Sequence, residues 1–350
     1  MARFLVYTSP ARGHLYPITA TLLELRRRGH EVHVRTLAAE VGALRAAGLQ
    51  AAPLAPEIED IPLDDWHGAT PVEALQGGLR VVHEGSDLQR AIVDVAPDFL
   101  IVDITTAGAA AVAEASGLPW AQWVPFFQHF EPIRLDAPEL TWIPFTLLPA
   151  GIEVIDDGRR RAGLEPLAGP AEARRAPLYL YFTAEPFEIP GLDLPPSVRL
   201  VGPGLWEPAA DVAVEPDGTG EPLVLVTASS EFQRDDGLVA TALRGLADER
   251  VRVLASSVSH DPREFDVPAN ARVERWLPHG PAIRRSACVV CHGGMGSRSG
   301  RWPPVCRSAS CRSVGTRRRS HGGSWRRARG RVSTLPSSPR TGCVRPCARR

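Results

Sequence analysis

The sequence predicts an α/β protein built on parallel sheets. Short apolar runs bounded by turn residues alternate with segments of helical periodicity. The chain opens as strand, loop, helix and strand, a βαβ unit that requires a crossover helix and a parallel sheet. Residues 287–291 are a continuous apolar run, typical of a strand buried on both faces. At 350 residues, the chain has room for two domains of ordinary size.

The first βαβ unit can be followed residue by residue. Residues 4–8 form an apolar run that ends in the polar loop 9–14, and Pro17 is expected to open a helix. The apolar positions of this helix recur at helical spacing, and Gly29 suits its C-terminal cap. Residues 31–35 then form the second strand.

The same alternation continues through a predicted first domain, residues 1–202. Its further elements are strands 99–102, 120–124, 178–182 and 198–201 and a helix at 107–115. Residues 203–220 are rich in Pro, Gly and acids and are interpreted as a linker. The partial second domain, 221–297, is expected to contain strands at 223–227, 251–255, 272–276 and 287–291 and a helix near 236–247.

Charge divides the chain at residue 297. Residues 298–350 hold 15 Arg and no acid, so residues 1–297 carry 25 Arg against 40 acids, a net charge of −15. An acidic body argues against nucleic acid as a partner. No apolar stretch is long enough for a membrane span and no signal peptide opens the chain, which predicts a cytoplasmic protein.

Residues 298–350 lack hydrophobic periodicity and are rich in Arg, Ser, Pro and Gly. One interpretation is a disordered basic tail. The favoured interpretation is a shifted reading frame, because GC-rich codons for residues 301–350, read one base earlier, permit a text that begins ALAAGVPVCVVPVGRDAAEVARR. That text restores an α/β pattern directly after residue 297.

A glycine-rich turn at residues 292–297 follows the last predicted strand. Such a turn at a helix start can hold a diphosphate on backbone N–H groups, although a tight turn without a ligand is an equally ordinary interpretation. Two neighbouring segments favour ligand binding, because they also follow predicted strand ends. They are Ser229-Ser230 and Trp276-Leu-Pro-His279. The candidate donor-binding residues are Ser229, Ser230, Trp276, His279, His292, Gly293, Gly294, Gly296 and Ser297.

Residues 1–297 resemble the GT-B family of nucleotide-sugar glycosyltransferases, in the bacterial branch that modifies macrolides and other natural products. The resemblance is carried by Gly13-His14-Leu-Tyr-Pro17, Val102-Asp103-Ile104-Thr105, Val273-Glu-Arg-Trp-Leu-Pro-His279 and the turn that begins at His292. It implies two Rossmann-like domains that face a cleft, the second one incomplete here. The implied co-substrate is a UDP- or TDP-linked sugar, with no permanently bound cofactor and no metal.

The resemblance also implies roles for individual residues. His14 would be the general base, Asp103 would orient it, and Trp276 would stack on the nucleobase. An imidazole suits the deprotonation of an acceptor hydroxyl during inverting transfer, and a carboxylate on its other nitrogen fixes the tautomer. The family grips the sugar with an Asp-Gln pair, which is absent after Ser297. We therefore expect an impaired transferase acting on a small apolar acceptor.

Several alternatives remain open at this point. The aromatic cluster Trp123, Phe126, Phe127, His129 and Phe130 could line the acceptor pocket or simply pack in a core. The chain could also be a non-catalytic binding protein derived from such an enzyme. A nicotinamide oxidoreductase is disfavoured, because the first strand–helix loop lacks G-x-G-x-x-G. Cys288 and Cys291 match a haem-attachment spacing, which their place in a buried strand argues against.

Overall fold

The computed structural model describes residues 1–60, 77–125, 149–168, 175–183, 194–209, 220–230, 236–258, 260–292 and 307–310. Its contacts divide the chain into two compact units. The first unit consists of Met1–Ala209 with Ser230–Gln233, and the second of Ala210–Ser229 with Arg234–Arg350. The division after Ala209 falls inside the predicted linker 203–220.

In the described part of the first unit, seven parallel strands form one sheet in the order β3-β2-β1-β4-β5-β6-β7. The parallel sheet predicted from the sequence is therefore confirmed. The strands are β1 (Arg3–Tyr7), β2 (Glu31–Thr36), β3 (Gln50–Pro53), β4 (Phe99–Asp103), β5 (Trp120–Val124), β6 (Tyr179–Tyr181) and β7 (Val198–Leu200).

Helices cover both faces of this sheet. They are α1 (Arg12–Arg27), α2 (Ala38–Ala46), α3 (Pro56–Glu59), α4 (Gly77–Val95), α5 (Ala107–Ala115) and α6 (Pro149–Arg161). Successive side chains of β1 point to opposite faces, as in any strand. Leu5 packs with apolar residues of α3, α4 and α5, whereas Val6 packs with those of α1 and α2. The sheet thus lies between two buried layers.

Helix α1 begins earlier than the sequence predicted. Pro17 was expected to open it, but the helix starts at Arg12 and Pro17 lies inside it. Proline removes only one intrahelical hydrogen bond here, to the carbonyl of Gly13. Leu15, Ile18 and Leu22 are fully buried, and each such side chain contributes about 1.5–3 kcal/mol. The consequence for the site is that His14 lies in the first turn of a helix.

In the described part of the second unit, five parallel strands are ordered β10-β9-β8-β11-β12. They are β8 (Leu223–Thr227), β9 (Arg252–Ser256), β10 (Ala271–Glu274), β11 (Cys288–Cys291) and β12 (Arg307–Ser310), with helices α7 (Asp236–Leu246) and α8 (His279–Arg285) and a 3₁₀ turn at Pro262–Glu264. The apolar run 287–291 predicted burial on both faces. In β11, Val289 and Cys291 are buried, but Cys288 and Val290 are only partly buried.

Strand β12 lies in the arginine-rich segment, where no element was predicted from the sequence as it stands. Arg307–Ser310 pairs in parallel register with β11 at the edge of the sheet. In the alternative reading frame, the same four positions read PVCV within the apolar run VPVCVVPV.

None of the helices in the described ranges is long and apolar enough to cross a membrane.

Candidate active site

The structure brings His14 and Asp103 together at one edge of the first sheet. Asp103 is the last residue of β4, and His14 is the third residue of α1, which follows β1. Because β1 and β4 are parallel neighbours, their carboxyl ends are adjacent. Nδ1 of His14 lies 3.0 Å from Oδ1 and 2.9 Å from Oδ2 of Asp103, whose side chain is fully buried.

Four further hydrogen bonds hold the Asp103 carboxylate. The backbone N–H and the hydroxyl of Ser9 donate to Oδ2 at 3.2 and 2.9 Å. The backbone N–H and the hydroxyl of Thr105 donate to Oδ1 at 2.9 and 2.8 Å. Together with His14, these groups form a cage of five donors around the buried carboxylate. Such donors stabilise the ionised form of the carboxylate.

This cage explains why Asp103 stays ionised. Burial alone would raise its pKa, but attraction to His14 and the hydrogen bonds from His14 and Thr105 outweigh burial, so the pKa of Asp103 lies below its ordinary value. An ionised carboxylate accepts the proton on Nδ1. In the neutral imidazole, Nε2 therefore carries the lone pair, and the ring is set up to accept a proton there.

Ser9 and Thr105 were not among the predicted site residues. Each lies within two residues of a strand end that carries the site, β1 for Ser9 and β4 for Thr105. A short hydroxyl side chain at that place can reach the end of the neighbouring strand. This spacing is a signal that the sequence contained, because Thr105 follows Asp103 by two residues as in turns closed by an Asp side chain.

Thr105→Val should destabilise the first unit by about 1.5–3 kcal/mol, since it removes one hydrogen bond to a buried charge. Ser9→Ala should act in the same direction. Urea unfolding monitored by circular dichroism measures the change. Ser86→Ala is the matched control, because Ser86 is exposed on α4 and donates only to the carbonyl of His83. A loss for Thr105→Val no larger than for the control would contradict the cage.

A second cluster of predicted residues meets in the second unit. Nε2 of His279, the first residue of α8, lies 3.3 Å from the hydroxyl oxygens of both Thr227 and Ser256, at the ends of β8 and β9. Trp276 stacks on the His279 ring with centroids 6.2 Å apart. Burial and, to a lesser extent, nearby His292 lower the pKa of His279 to about 4. His279 is therefore neutral at physiological pH.

The remaining predicted donor residues are placed as follows. Ser229 is buried just after β8, and His292 is partly buried just after β11. Ser230 is grouped with the first unit, where its hydroxyl oxygen lies 3.7 Å from the point that a Cβ on Gly13 would occupy. Gly293, Gly294, Gly296 and Ser297 lie outside the described residues, as do Phe126, Phe127, His129 and Phe130. The sequence did not single out Thr227 or Ser256 for the second cluster.

The lowered pKa of His279 predicts that the second unit loses stability in acid. The unfolded chain binds a proton at His279 below about pH 6.5, whereas the folded chain does not until about pH 4, so unfolding becomes easier as pH falls between these values. We expect His279→Gln to reduce this acid loss by about 1–2 kcal/mol. Urea unfolding at pH 7 and pH 4.5 measures it, and an unchanged pH dependence would contradict the assignment.

Trp123, one of the predicted acceptor-binding residues, lies on β5 of the first unit. Its side chain is fully buried and packs in the layer formed with α1 and α2, next to Val6 and Phe182. Its indole N–H has no hydrogen-bond partner among the residues that the structure describes. This burial agrees with the core-packing interpretation, and the acceptor-binding role of Trp123 stays a prediction.

The described residues contain no group of three or more His, Cys, Asp or Glu side chains placed to hold a metal ion. Cys288 and Cys291 belong to apolar clusters on opposite faces of the second sheet. Two thiols that point to opposite faces do not converge on one metal or one haem.

Comparison with known proteins places this geometry in context. The chain is 31% identical over 335 residues to 4'-demethylrebeccamycin synthase of Lentzea aerocolonigenes, covering 84% of this chain and 79% of the relative. The calicheamicin glycosyltransferase CalG4 has a similar structure, with a TM-score of 0.65, 19% identity and coverage of 85% of this chain and 76% of that one. The glycosyltransferase VinC, solved with dTDP, gives a TM-score of 0.58 at 20% identity over 85% of this chain and 77% of that one. No family model matches the chain.

The first relative exceeds 30% identity over most of both chains, and the solved structures share the α/β architecture. The resemblance seen in the sequence motifs is therefore confirmed. The chain belongs to the nucleotide-sugar-dependent glycosyltransferases of the GT-B fold, in the branch of natural-product biosynthesis.

Proposed function

We propose that this protein is an inverting, metal-independent glycosyltransferase that moves a sugar from a nucleoside diphosphate to a hydroxyl of a small apolar natural product. The observation that carries the proposal is the His14–Asp103 pair, because a carboxylate held on Nδ1 prepares Nε2 to act as a base. An assay for transfer from dTDP- and UDP-sugars to a panel of aromatic aglycones tests it. If the protein expressed from the intact reading frame forms no product with any donor, the proposal is wrong.

The proposed reaction is a single displacement. Nε2 of His14 takes the proton of the acceptor hydroxyl as its oxygen attacks the anomeric carbon. The bond from that carbon to the diphosphate oxygen breaks, and its electron pair leaves with the diphosphate. Attack from the face opposite the leaving group inverts the anomeric centre. Asp103 stabilises the imidazolium that forms at His14, through the hydrogen bond at Nδ1.

The leaving diphosphate is assigned to the second unit. Residues 292–297 are rich in glycine, and backbone N–H groups in such a turn can neutralise a departing anion without a metal. The role of Trp276 as a platform for the nucleobase remains part of this proposal. Among the possible bases, thymine is favoured because the similar structure of VinC was solved with dTDP.

We further propose that the chain as it stands is impaired by a shifted reading frame after Ser297. The arginine-rich composition of residues 298–350 supports this, and so does β12. That strand occupies the four positions where the alternative frame has its apolar run. An impaired donor half is consistent with the missing Asp-Gln pair, and sequencing independent copies of the gene tests the shift directly.

A second candidate function is binding without catalysis. The cage around Asp103 is built from described residues of the first unit, so a binding role of this unit would not need the donor half. Isothermal titration with dTDP and UDP separates the two candidates. Micromolar binding of a nucleotide supports the transferase, whereas binding of aglycones alone supports the accessory role. The cytoplasmic location predicted from the sequence belongs with either proposal.

A further inference from the structure

Helix α4 carries two buried carboxyl groups that the proposed reaction does not use. Glu84 and Asp87 are 2% and 3% exposed, one turn apart on the helix. Asp87 accepts hydrogen bonds from the hydroxyl of Tyr7 at 3.1 Å and from the backbone N–H of Ala55 at 3.2 Å, which accounts for its burial. Glu84 points elsewhere, to the start of α5.

Glu84 supplies a cap that α5 lacks in its own sequence. Thr106 occupies the N-cap position but makes no capping hydrogen bond with its side chain. Instead, Oε2 of Glu84 accepts the backbone N–H of Gly108 at 2.9 Å, and the N–H of Ala109 also acts on this carboxyl group. A helix N-terminus has unpaired N–H groups and a partial positive charge, both of which a carboxyl oxygen satisfies.

The approach of the two helices leaves no freedom at this contact. A Cβ atom on Gly108 would lie 2.2 Å from the carbonyl oxygen of Val81 and 3.1 Å from Cβ of Glu84. The first distance is one that real Cβ atoms do not show, and the carbonyl of Val81 is backbone that cannot easily move, so this position requires glycine. The hydrogen bond between Glu84 and α5 is therefore held by backbone packing as well as by its own energy.

The start of α5 is also bound directly to Asp103. The carbonyl oxygen of Asp103 accepts the backbone N–H of Thr106 at 3.1 Å and the hydroxyl of Thr106 at 2.9 Å. A path of hydrogen bonds thus runs from Glu84 through the first turn of α5 to the residue that orients His14. The negative charges of Asp103 and Glu84 are close enough to act on each other.

We propose that Glu84 is a positioning residue for the His14–Asp103 pair. Glu84 holds the first turn of α5 in place, and its ionisation changes the electrostatic environment of His14 through Asp103. This inference rests on the proposed function only for its consequence in catalysis. The geometry of the path is independent of whether transfer occurs. Glu84 touches neither substrate nor the reacting atoms and acts through Asp103 alone.

The ionisation of Glu84 falls in a range that can be measured. Burial, the largest effect, raises its pKa to about 8, with repulsion from Asp103 adding to it. The hydrogen bond from Gly108 and attraction to Arg80 on α4 oppose this rise. Tyr7 on β1 faces the same interior, and α5 presents backbone N–H groups there. Glu84 therefore carries a proton at neutral pH and loses it in mild alkali.

The test is an NMR titration of the His14 ring in the full chain, with His14→Ala used to assign its signal. In the wild type we expect an inflection near pH 8 as Glu84 ionises, in addition to the titration of His14 itself. Glu84→Gln keeps a carbonyl oxygen for the Gly108 N–H but cannot ionise, so this inflection should disappear. Asp87→Asn is the matched control and should leave it in place.

Thermal unfolding across pH gives a second readout. The folded wild type retains a proton on Glu84 that the unfolded chain releases above about pH 4.5, so Glu84 lowers stability progressively from there to pH 8. Glu84→Gln should raise the melting temperature at pH 8 and change it little at pH 4.5. Glu84→Ala, which also removes the cap, should lower it at pH 4.5.

Loss of the inflection in Glu84→Gln but not in Asp87→Asn supports the proposal. An identical His14 curve in wild type and Glu84→Gln overturns it, even if Glu84→Ala fails to fold. Both results are read from His14 in the chain without any donor or acceptor. A failure of the proposed transferase reaction would appear as missing product in the assay and would leave these curves unchanged, so the two failures are distinguishable.

Discussion

Replacing His14 by alanine is expected to lower the rate of sugar transfer by about 10²–10⁴-fold, the range that general-base catalysis contributes. The physical reason is that, among the residues that the structure describes, His14 is the base that a buried carboxylate holds at the end of β1. The measurement is kcat for product formation in the restored chain, in which the reading frame after Ser297 has been corrected. Nucleotide binding measured by calorimetry should persist, because His14 acts on the acceptor.

Two comparisons make this result specific. Asp103→Asn should also lower kcat by at least about a hundredfold, because an amide cannot stabilise the imidazolium and can select the wrong tautomer. His33→Ala is the control, since His33 lies on β2 and pairs with Glu31 away from the dyad. Turnover unchanged in His14→Ala, or lowered equally in His33→Ala, would remove His14 from the mechanism.

Restoring the reading frame after Ser297 is expected to turn a chain with no measurable transfer into an active enzyme. The restored text supplies an apolar strand where Arg307–Ser310 pairs with β11, and an acidic, glycine-punctuated sequence beyond it. We also expect the restored chain to aggregate less, because an exposed sheet edge can pair with a second chain. Transfer activity, dTDP affinity and the monomeric fraction in size-exclusion chromatography measure the three effects.

The matched control is the restored chain carrying His14→Ala, which should gain dTDP affinity and solubility without gaining activity. If the chain as it stands transfers sugar at the rate of the restored chain, the impairment is wrong. If independent gene copies all encode residues 298–350 in the present frame, the basic tail is a genuine feature of the protein.

The elements that the sequence predicted well are those with a strong local pattern. β1, β4 and β8 are short apolar runs with polar ends, and their strand character follows from local sequence alone. The start of α1 was misplaced because Pro17 is a strong signal for a first helical position. That signal was outweighed by the burial of Leu15 beneath the sheet, a tertiary contact that no local pattern contains.

The candidate site divides in the same way. The joint presence of His14 and Asp103 was predicted through resemblance, and their contact follows from parallel pairing of β1 with β4. The donors from Ser9 and Thr105, and the hydroxyls that face His279, depend on how strand ends align in three dimensions. The role of Glu84 could not be predicted from the sequence for the same reason. Nothing in the sequence of α4 indicates which helix terminus Glu84 will contact.

The placement of the groups around Asp103 within the first unit is useful for engineering. Among the described residues, the groups that hold Asp103 ionised come from the loop after β1, the first turn of α1 and the loop after β4, all in the first unit. Under the proposed mechanism, the groups that would deprotonate an alcohol therefore belong to one compact unit. Fusing residues 1–209 to the nucleotide-binding half of a related transferase should yield a hybrid that keeps this chain's choice of aglycone and adopts the sugar of its new half.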